Sequence, residues 1–288
     1  MLAYLFPGQG SQFVGMGADL ALSFPEAKAV FDEADATLGF SLTSLMFGSA
    51  EDAEMRLTET EYTQPALYTH SLAAFAILEA RGQHPAVTAG HSLGEYSALA
   101  AAGAFSFTDG LRVVRRRSEL MAEARAGTMV AVLGLEDAAV EQICTDVSAA
   151  GDGVVVPANY NAPGQVVVSG DVAAVERAMD AFSEASAKRV LPLSVSGAFH
   201  SPLMADAQAA FAATLDALDI QPPRCPVVLN VTAAPTTDPD EIRRRLIEQL
   251  TAPVRWSQSR SRIQDDGAAR FVEVGSGKVL SGLVKRTL

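Results

Sequence analysis

Short apolar runs alternate with stretches of helical periodicity along this chain. Ala3–Phe6 is apolar and stops at Pro7-Gly8, which predicts a buried strand entering a tight loop. Helical spacing follows over Phe24–Leu38 and again over Gln64–Arg81, where Pro65 suits a first turn. Pro85–Ala89 reads as a second short strand, ending at a loop that starts with Gly90. Glu95–Ala102 is dense in helix formers and ends at Gly103. Asp109–Ala124 predicts a further helix, with Thr108 as its N-cap.

The rhythm changes after Gly127. Thr128–Leu133 reads as a strand, Glu136–Ala149 as a helix and Gly153–Asn159 as a strand. Asn161-Ala162-Pro163-Gly164 reads as a turn, followed by strand Gln165–Ser169, helix Asp171–Ala187 and strand Arg189–Val195. That β-α-β-β-α-β order is the split pattern of a ferredoxin-like unit, here expected as an insert over 127–193. Beyond it, Pro202–Leu218 and Pro239–Leu250 read as helices, and Pro226–Asn230 and Arg270–Val274 as strands. Strands alternating with helices on both sides of the insert predict an α/β fold with a parallel sheet.

Composition narrows the partners. With 288 residues, 49% hydrophobic and 19% charged, the chain can bury a sizeable core. A formal charge of −12 makes nucleic acid and anionic membrane poor partners, because like charges repel. Cys144 and Cys225 are too few for a disulfide framework or a zinc cluster, and read as reduced thiols in a cytoplasmic protein. The opening MLAYLFPGQGSQ lacks a basic n-region and breaks after six residues, so it reads as neither signal peptide nor membrane span.

The most informative segment is Gly90-His91-Ser92-Leu93-Gly94, between an expected strand and an expected helix. A G-x-S-x-G pentapeptide in that context is a nucleophile elbow. Small residues flank the serine because the turn brings backbone close to backbone. The Ser92 hydroxyl is then lifted above the sheet, and the Leu93 N–H faces any oxyanion formed on an attacked carbonyl. The His91 side chain should point away from Ser92; a packed neutral role and a substrate contact fit it equally.

A hydroxyl nucleophile needs a base. His70 sits on an apolar helix face and reads as structural, and His84 as a solvated loop residue. His200, in Ser196-Gly197-Ala198-Phe199-His200-Ser201-Pro202, returns from the insert at a strand-to-helix junction and can reach across a cleft towards Ser92. No acid has an obvious claim to complete a triad. A Ser92–His200 dyad oriented by a backbone carbonyl fits at least as well. No metal or bound cofactor is called for.

These motifs, with Pro7-Gly8-Gln9-Gly10-Ser11-Gln12, Gln64-Pro65-Ala66-Leu67, the Arg117 helix, Asn159 to Gln165 and Gln249 to Trp256, occur in a specific order. The chain resembles the malonyl-CoA:acyl-carrier-protein transacylases of bacterial fatty acid synthesis, relatives of polyketide synthase acyltransferases. The resemblance implies a hydrolase-like large subdomain over 1–126 and 194–288, with the ferredoxin-like insert over 127–193. It implies Ser92 as nucleophile, His200 as base, and the backbone N–H groups of Gln9 and Leu93 as oxyanion hole. It implies that a main-chain carbonyl at Gln249 orients His200. Arg117 would pair with the malonyl carboxylate, since a guanidinium takes a carboxylate through two parallel hydrogen bonds. The family often has Gly after this arginine, and this chain has Ser118. Phe199 is the residue type associated with malonyl selection. Gln64, His91 and Asn161 are secondary candidates for the substrate cleft.

The implied substrate is malonyl-CoA and the implied partner is acyl carrier protein, served by a monomer. Carriers of this kind are themselves acidic, so docking calls for a local basic patch, with Arg112, Arg115, Arg116, Lys188, Arg189 and Lys285 as candidates. A freestanding acyltransferase serving a polyketide synthase stays open as an alternative, and a serine hydrolase less so.

Overall fold

A computed structural model describes residues 1–286; Thr287 and Leu288, at the end of the expected 194–288 segment, lie outside the described residues. The described residues hold nine strands: β1 (Leu2–Phe6), β2 (Val87–Gly90), β3 (Thr128–Leu133), β4 (Val155–Ala162), β5 (Gln165–Gly170), β6 (Arg189–Pro192), β7 (Val227–Val228), β8 (Pro235–Thr236) and β9 (Arg270–Glu273). The first sheet runs in the order β8-β7-β2-β1-β9. β1 pairs in parallel with both β2 and β9, and β2 with β7. The two central strands are buried throughout from Ala3 to Phe6 and from Val87 to Gly90, as strands covered on both faces are, with the Thr88 hydroxyl donating to Ala98 O. The sheet is not wholly parallel: β8 adds a two-residue antiparallel edge that the sequence pattern did not signal.

The second sheet is antiparallel, in the order β4-β5-β3-β6. With helices Asp137–Ala150 and Val172–Glu184 on it, this is the split β-α-β-β-α-β arrangement of a ferredoxin-like unit. Val130, Val132, Val140, Val166, Val168, Val175 and Phe182 form its own core, with Cys144 among them. A main-chain stitch joins it to the larger unit. β4 is irregular, with register shifts at Pro157/Asn159 and Tyr160/Ala162. There the Tyr160 N–H donates to Val254 O at 2.9 Å and the Val254 N–H to Ala158 O at 2.8 Å. The fold is thus α/β, a largely parallel sheet with an antiparallel sheet beside it.

Three local readings need correction. The helix expected from Gln64 starts a turn earlier and spans Thr60–Ala80, so Pro65 lies inside it. Pro65 has no N–H for Glu61 O, four residues back. That carbonyl accepts instead from Arg115 Nη1 at 3.0 Å, and Ser118 Oγ lies 3.2 Å away. The Arg117 helix spans Phe107–Glu123 and is capped by Ser106, whose Oγ accepts from the Asp109 N–H; Thr108 instead bonds Glu33. Asn161 and Ala162 belong to β4, and only Pro163 and Gly164 separate β4 from β5. Among the described residues no helix is long and apolar enough to cross a membrane.

Candidate active site

The site forms at the carboxyl ends of β1 and β2, where open α/β sheets hold their ligands. β2 ends at Gly90 and helix Gly94–Ala101 begins four residues later, leaving Ser92 at the apex with φ 51°. This left-handed backbone is costly for a residue with a side chain, and marks a turn held by its surroundings. A Cβ on Gly90 would fall 1.9 Å from Gly94 C and O, and one on Gly94 would fall 2.0 Å from Phe6 O. The Pro7-Gly8 loop obeys the same constraint, since a Cβ on Gly8 would meet His91 O at 2.4 Å. Gly8 is therefore required by contact with the elbow itself.

Asn230, one residue past the Leu229 that follows β7, clamps the turn. Its Oδ1 accepts from the Ser92 N–H at 2.7 Å and its Nδ2 donates to Gly90 O at 2.6 Å. Ser92 Oγ lies 2.8 Å from His200 Nε2, and His200 Nδ1 lies 2.8 Å from Gln249 O. A carbonyl only accepts, so Nδ1 carries the proton and Nε2 is free to accept from the serine. His200 also has positive φ, 58°. Burial first, then the nearby Arg117 cation, push His200 down to about 3, so it is neutral at physiological pH.

Arg117 is 0% exposed, whereas the side chains of its neighbours Arg115 and Arg116 are 24% and 45% exposed. Successive helical positions are about 100° apart, and only the third of the run faces inward. Arg115 and Arg116 pair with Glu119, Arg115 also with Glu61, and Arg112 with Asp109, so these basic candidates for carrier docking have acidic neighbours. Arg117 forms no ion pair among the described residues. Its Nη1 donates to Gln64 Oε1 at 2.7 Å, and its Nη2 to Gln249 Oε1 at 2.9 Å and to Ser92 Oγ at 3.2 Å. The guanidinium sits 5.4 Å from the Tyr96 ring centroid, and its buried Nε finds no partner.

A cavity of about 420 Å³ opens onto this group. Ser92, His200, Arg117, Gln64, Gln9, Leu93, Phe199 and His91 all contribute to its wall. The Gln9 and Leu93 N–H groups have no acceptor among the described residues. Asn161 stands behind the wall: its Oδ1 lies 2.8 Å from His91 Nε2, and the His91 ring lies against Trp256. Burial lowers the pKa of His91, which stays neutral. Sequence reasoning gave no site role to Asn159 or Met121, which line the cavity, nor to Asn230 or Glu95. Glu95 had the clearest available signal, as the one charged residue in the buried helix Gly94–Ala101.

Residues 3–288 match the model of the acyl transferase domain family. The malonyl CoA-acyl carrier protein transacylase of Bacillus subtilis is 48% identical over 99% of this chain and 90% of its own length. The polyketide biosynthesis protein ThaF of Burkholderia thailandensis is 45% identical over 100% of the chain, which spans 24% of that protein. Among solved structures, a malonyl-transacylase in complex with its type II polyketide synthase acyl-carrier protein superposes with a TM-score of 0.95. It is 42% identical, over 100% of this chain and 93% of that one. The chain belongs to the acyl transferase domain family and is an acyltransferase.

Proposed function

We propose that the protein transfers the malonyl group from malonyl-CoA to the phosphopantetheine thiol of acyl carrier protein, in two steps through one covalent intermediate. The observation that carries this reading is Arg117: a buried cation with no carboxylate partner among the described residues, donating to the nucleophilic oxygen. Such a group is costly to bury unless something anionic completes it. An acyl group bearing its own carboxylate does so when its thioester carbon reaches Ser92. The names of the 48% identical relative and of the structural neighbour support the same donor and acceptor.

The chemistry follows from the hydrogen bonds. Ser92 Oγ attacks the thioester carbon while His200 Nε2 takes its proton. The carbonyl oxygen becomes an oxyanion facing the Gln9 and Leu93 N–H groups. Collapse breaks the C–S bond, and His200 returns the proton to the leaving sulfur. The carrier's thiol then gives its proton to His200 and attacks the acyl-serine; collapse breaks the bond from the acyl carbon to Ser92 Oγ, and His200 returns the proton to that oxygen. No step requires a metal or bound cofactor. Charge also favours the malonyl group at the base: a carboxylate on Arg117 neutralises the cation that holds His200 down, making His200 a better proton acceptor. Phe199, 6% exposed in the wall, crowds substituents on the α-carbon.

The same cavity could load a carrier from polyketide synthesis, a reading favoured by the likeness to ThaF and to the complex with a polyketide carrier. We assign the fatty acid pathway, residues 127–193 as the inserted subdomain, and a monomer in the cytoplasm. The test is incubation with malonyl-, methylmalonyl- and acetyl-CoA, with and without each class of carrier, followed by intact mass. A malonyl adduct of the enzyme alone, passed on to the fatty acid carrier, is the expected result. Free malonate with no loaded carrier would make the protein a hydrolase.

A further inference from the structure

Glu95 is 1% exposed and has no ion-pair partner among the described residues, yet both of its carboxylate oxygens are engaged. Oε1 accepts from the Asn230 N–H at 3.2 Å, and Oε2 accepts from Gln249 Nε2. Both contacts offer N–H donors, so this niche suits an ionised carboxylate better than an acid or an amide. Gln249 Nε2 also donates to Ser92 O at 3.1 Å, which leaves Gln249 Oε1 pointing at Arg117 Nη2. The Gln249 amide therefore separates a buried anion from a buried cation, one at each end.

That separation matters because an amide has two ends of opposite character. Turned over, Gln249 would present Nε2 to the guanidinium and Oε1 to the Ser92 carbonyl and Glu95. All of those contacts would then be donor against donor or acceptor against acceptor. Arg117, the Ser92 carbonyl and Glu95 all oppose the turn, and Glu95 is the member of the three whose contact can change with protonation. Had Glu95 touched Arg117 directly, the pair would have closed on itself and left no cation for a ligand. With Gln249 between them, the countercharge lies within the network and the guanidinium still faces the cavity.

We propose that Glu95 is a positioning residue for malonyl selection: its ionised carboxylate sets the Gln249 amide, which holds Arg117 at the place where the acyl carboxylate binds. This rests on the proposed pairing of Arg117 with malonyl. Protonated Glu95 would set an O–H donor against the Gln249 N–H and loosen the amide that holds Arg117, so selection should depend on pH. Burial raises Glu95 to about 7, opposed by the Asn230 N–H, the Gln249 amide and Arg117. The shifts of the other titratable groups of this cluster, Arg117 apart, lead away from the window above pH 6.5. His200, held at about 3, is already neutral; burial lowers His91 and raises Tyr96, and Arg117 stays cationic although burial lowers it.

The experiment is kcat/KM for malonyl-CoA and acetyl-CoA with one carrier, from pH 6 to 8.5, on the parent chain, Glu95→Gln, Gln249→Ala and the double variant. Titration of the carrier thiol cancels in the malonyl-to-acetyl ratio. The ratio should rise with pH through about 7 in the parent. In Glu95→Gln it should be lower by about tenfold, the scale of one misplaced charge-assisted contact, and flat with pH. In the Gln249→Ala background Glu95→Gln should add nothing further, because the amide it acts through is gone. Arg117→Ala is measured alongside. If Arg117→Ala leaves the ratio unchanged, the malonyl reading of Arg117 fails. If it collapses the ratio while pH and Glu95→Gln do not move it, Glu95 is only a packed acid and this inference is overturned. The parent's pH profile decides the matter even if a variant fails to fold.

Discussion

The main-chain carbonyl of Gln249 lies 2.8 Å from His200 Nδ1, so no carboxylate is needed to fix the imidazole. The same residue's side chain serves Arg117, and the two functions separate by mutation. In Gln249→Ala the carbonyl survives, so transfer from acetyl-CoA should change by less than about threefold, a few tenths of a kcal/mol. Transfer from malonyl-CoA should fall by about tenfold, as Arg117 loses one of its anchors. Equal loss with both donors, on folded protein, would mean that the helix end carrying the carbonyl had moved.

Ser92→Ala should show no malonyl adduct by intact mass in the absence of carrier, whereas the parent shows one. His200→Ala should slow acylation by several orders of magnitude, the scale found when a serine enzyme loses its base. An adduct persisting in Ser92→Ala would move the nucleophile elsewhere, and tryptic mapping would locate it.

Removing the Arg117 guanidinium leaves the substrate carboxylate unpaired in a partly desolvated cavity, a loss of about 2–5 kcal/mol. The malonyl-to-acetyl ratio of Arg117→Ala should therefore drop by roughly two to three orders of magnitude. Arg117→Lys should recover part of it, since one ammonium cannot reproduce the two-point fork. Steady-state kcat/KM for both donors checks this. A uniform loss would make Arg117 structural.

Stability should fall in mild acid. His70 is 7% exposed, its Nδ1 has no partner among the described residues, and burial holds it at about 4 against an ordinary 6.5. An unfolded chain protonates this histidine below 6.5 while the folded one resists until about 4. The stability it contributes is thus complete above 6.5 and lost progressively between 6.5 and 4, up to about 3 kcal/mol at this site. His200 adds to the same trend. The melting temperature should decline over that window, and His70→Leu should flatten the slope. An unchanged slope would assign the acid lability to other groups.

What was legible in the sequence was what local chemistry dictates. The glycines around Ser92 announce a strained turn because each lacks room for a Cβ, a constraint written within five residues. That His200 would face Ser92 followed from its position where the chain leaves β6 and returns to the main sheet. The roles of Asn230 and Glu95 were harder to read, although Glu95 stood out as a charge in a buried helix. Their partners lie 138 and 154 positions away, and nothing beside Asn230 marks it as a clamp. Pro65 misled because proline usually opens a helix, and the compensation that lets it sit inside one comes from Arg115 on a different helix. Asn161 resembled a turn residue by composition, but the hairpin needed only Pro163 and Gly164.

The two hydrogen bonds between β4 and Val254 have a bearing on how two visitors share one site. They sit beside Asn159, in the cavity wall, so the insert is pinned like a door bolted on the side nearest the reaction. On the proposed reading, carrier and coenzyme meet the same wall, tied at this point. On that reading both would deliver the same slender arm through the same slot, one after the other, and the phosphopantetheine common to CoA and carrier is such an arm. Selectivity among carriers would then be settled outside, at the rim, and selectivity among acyl groups within.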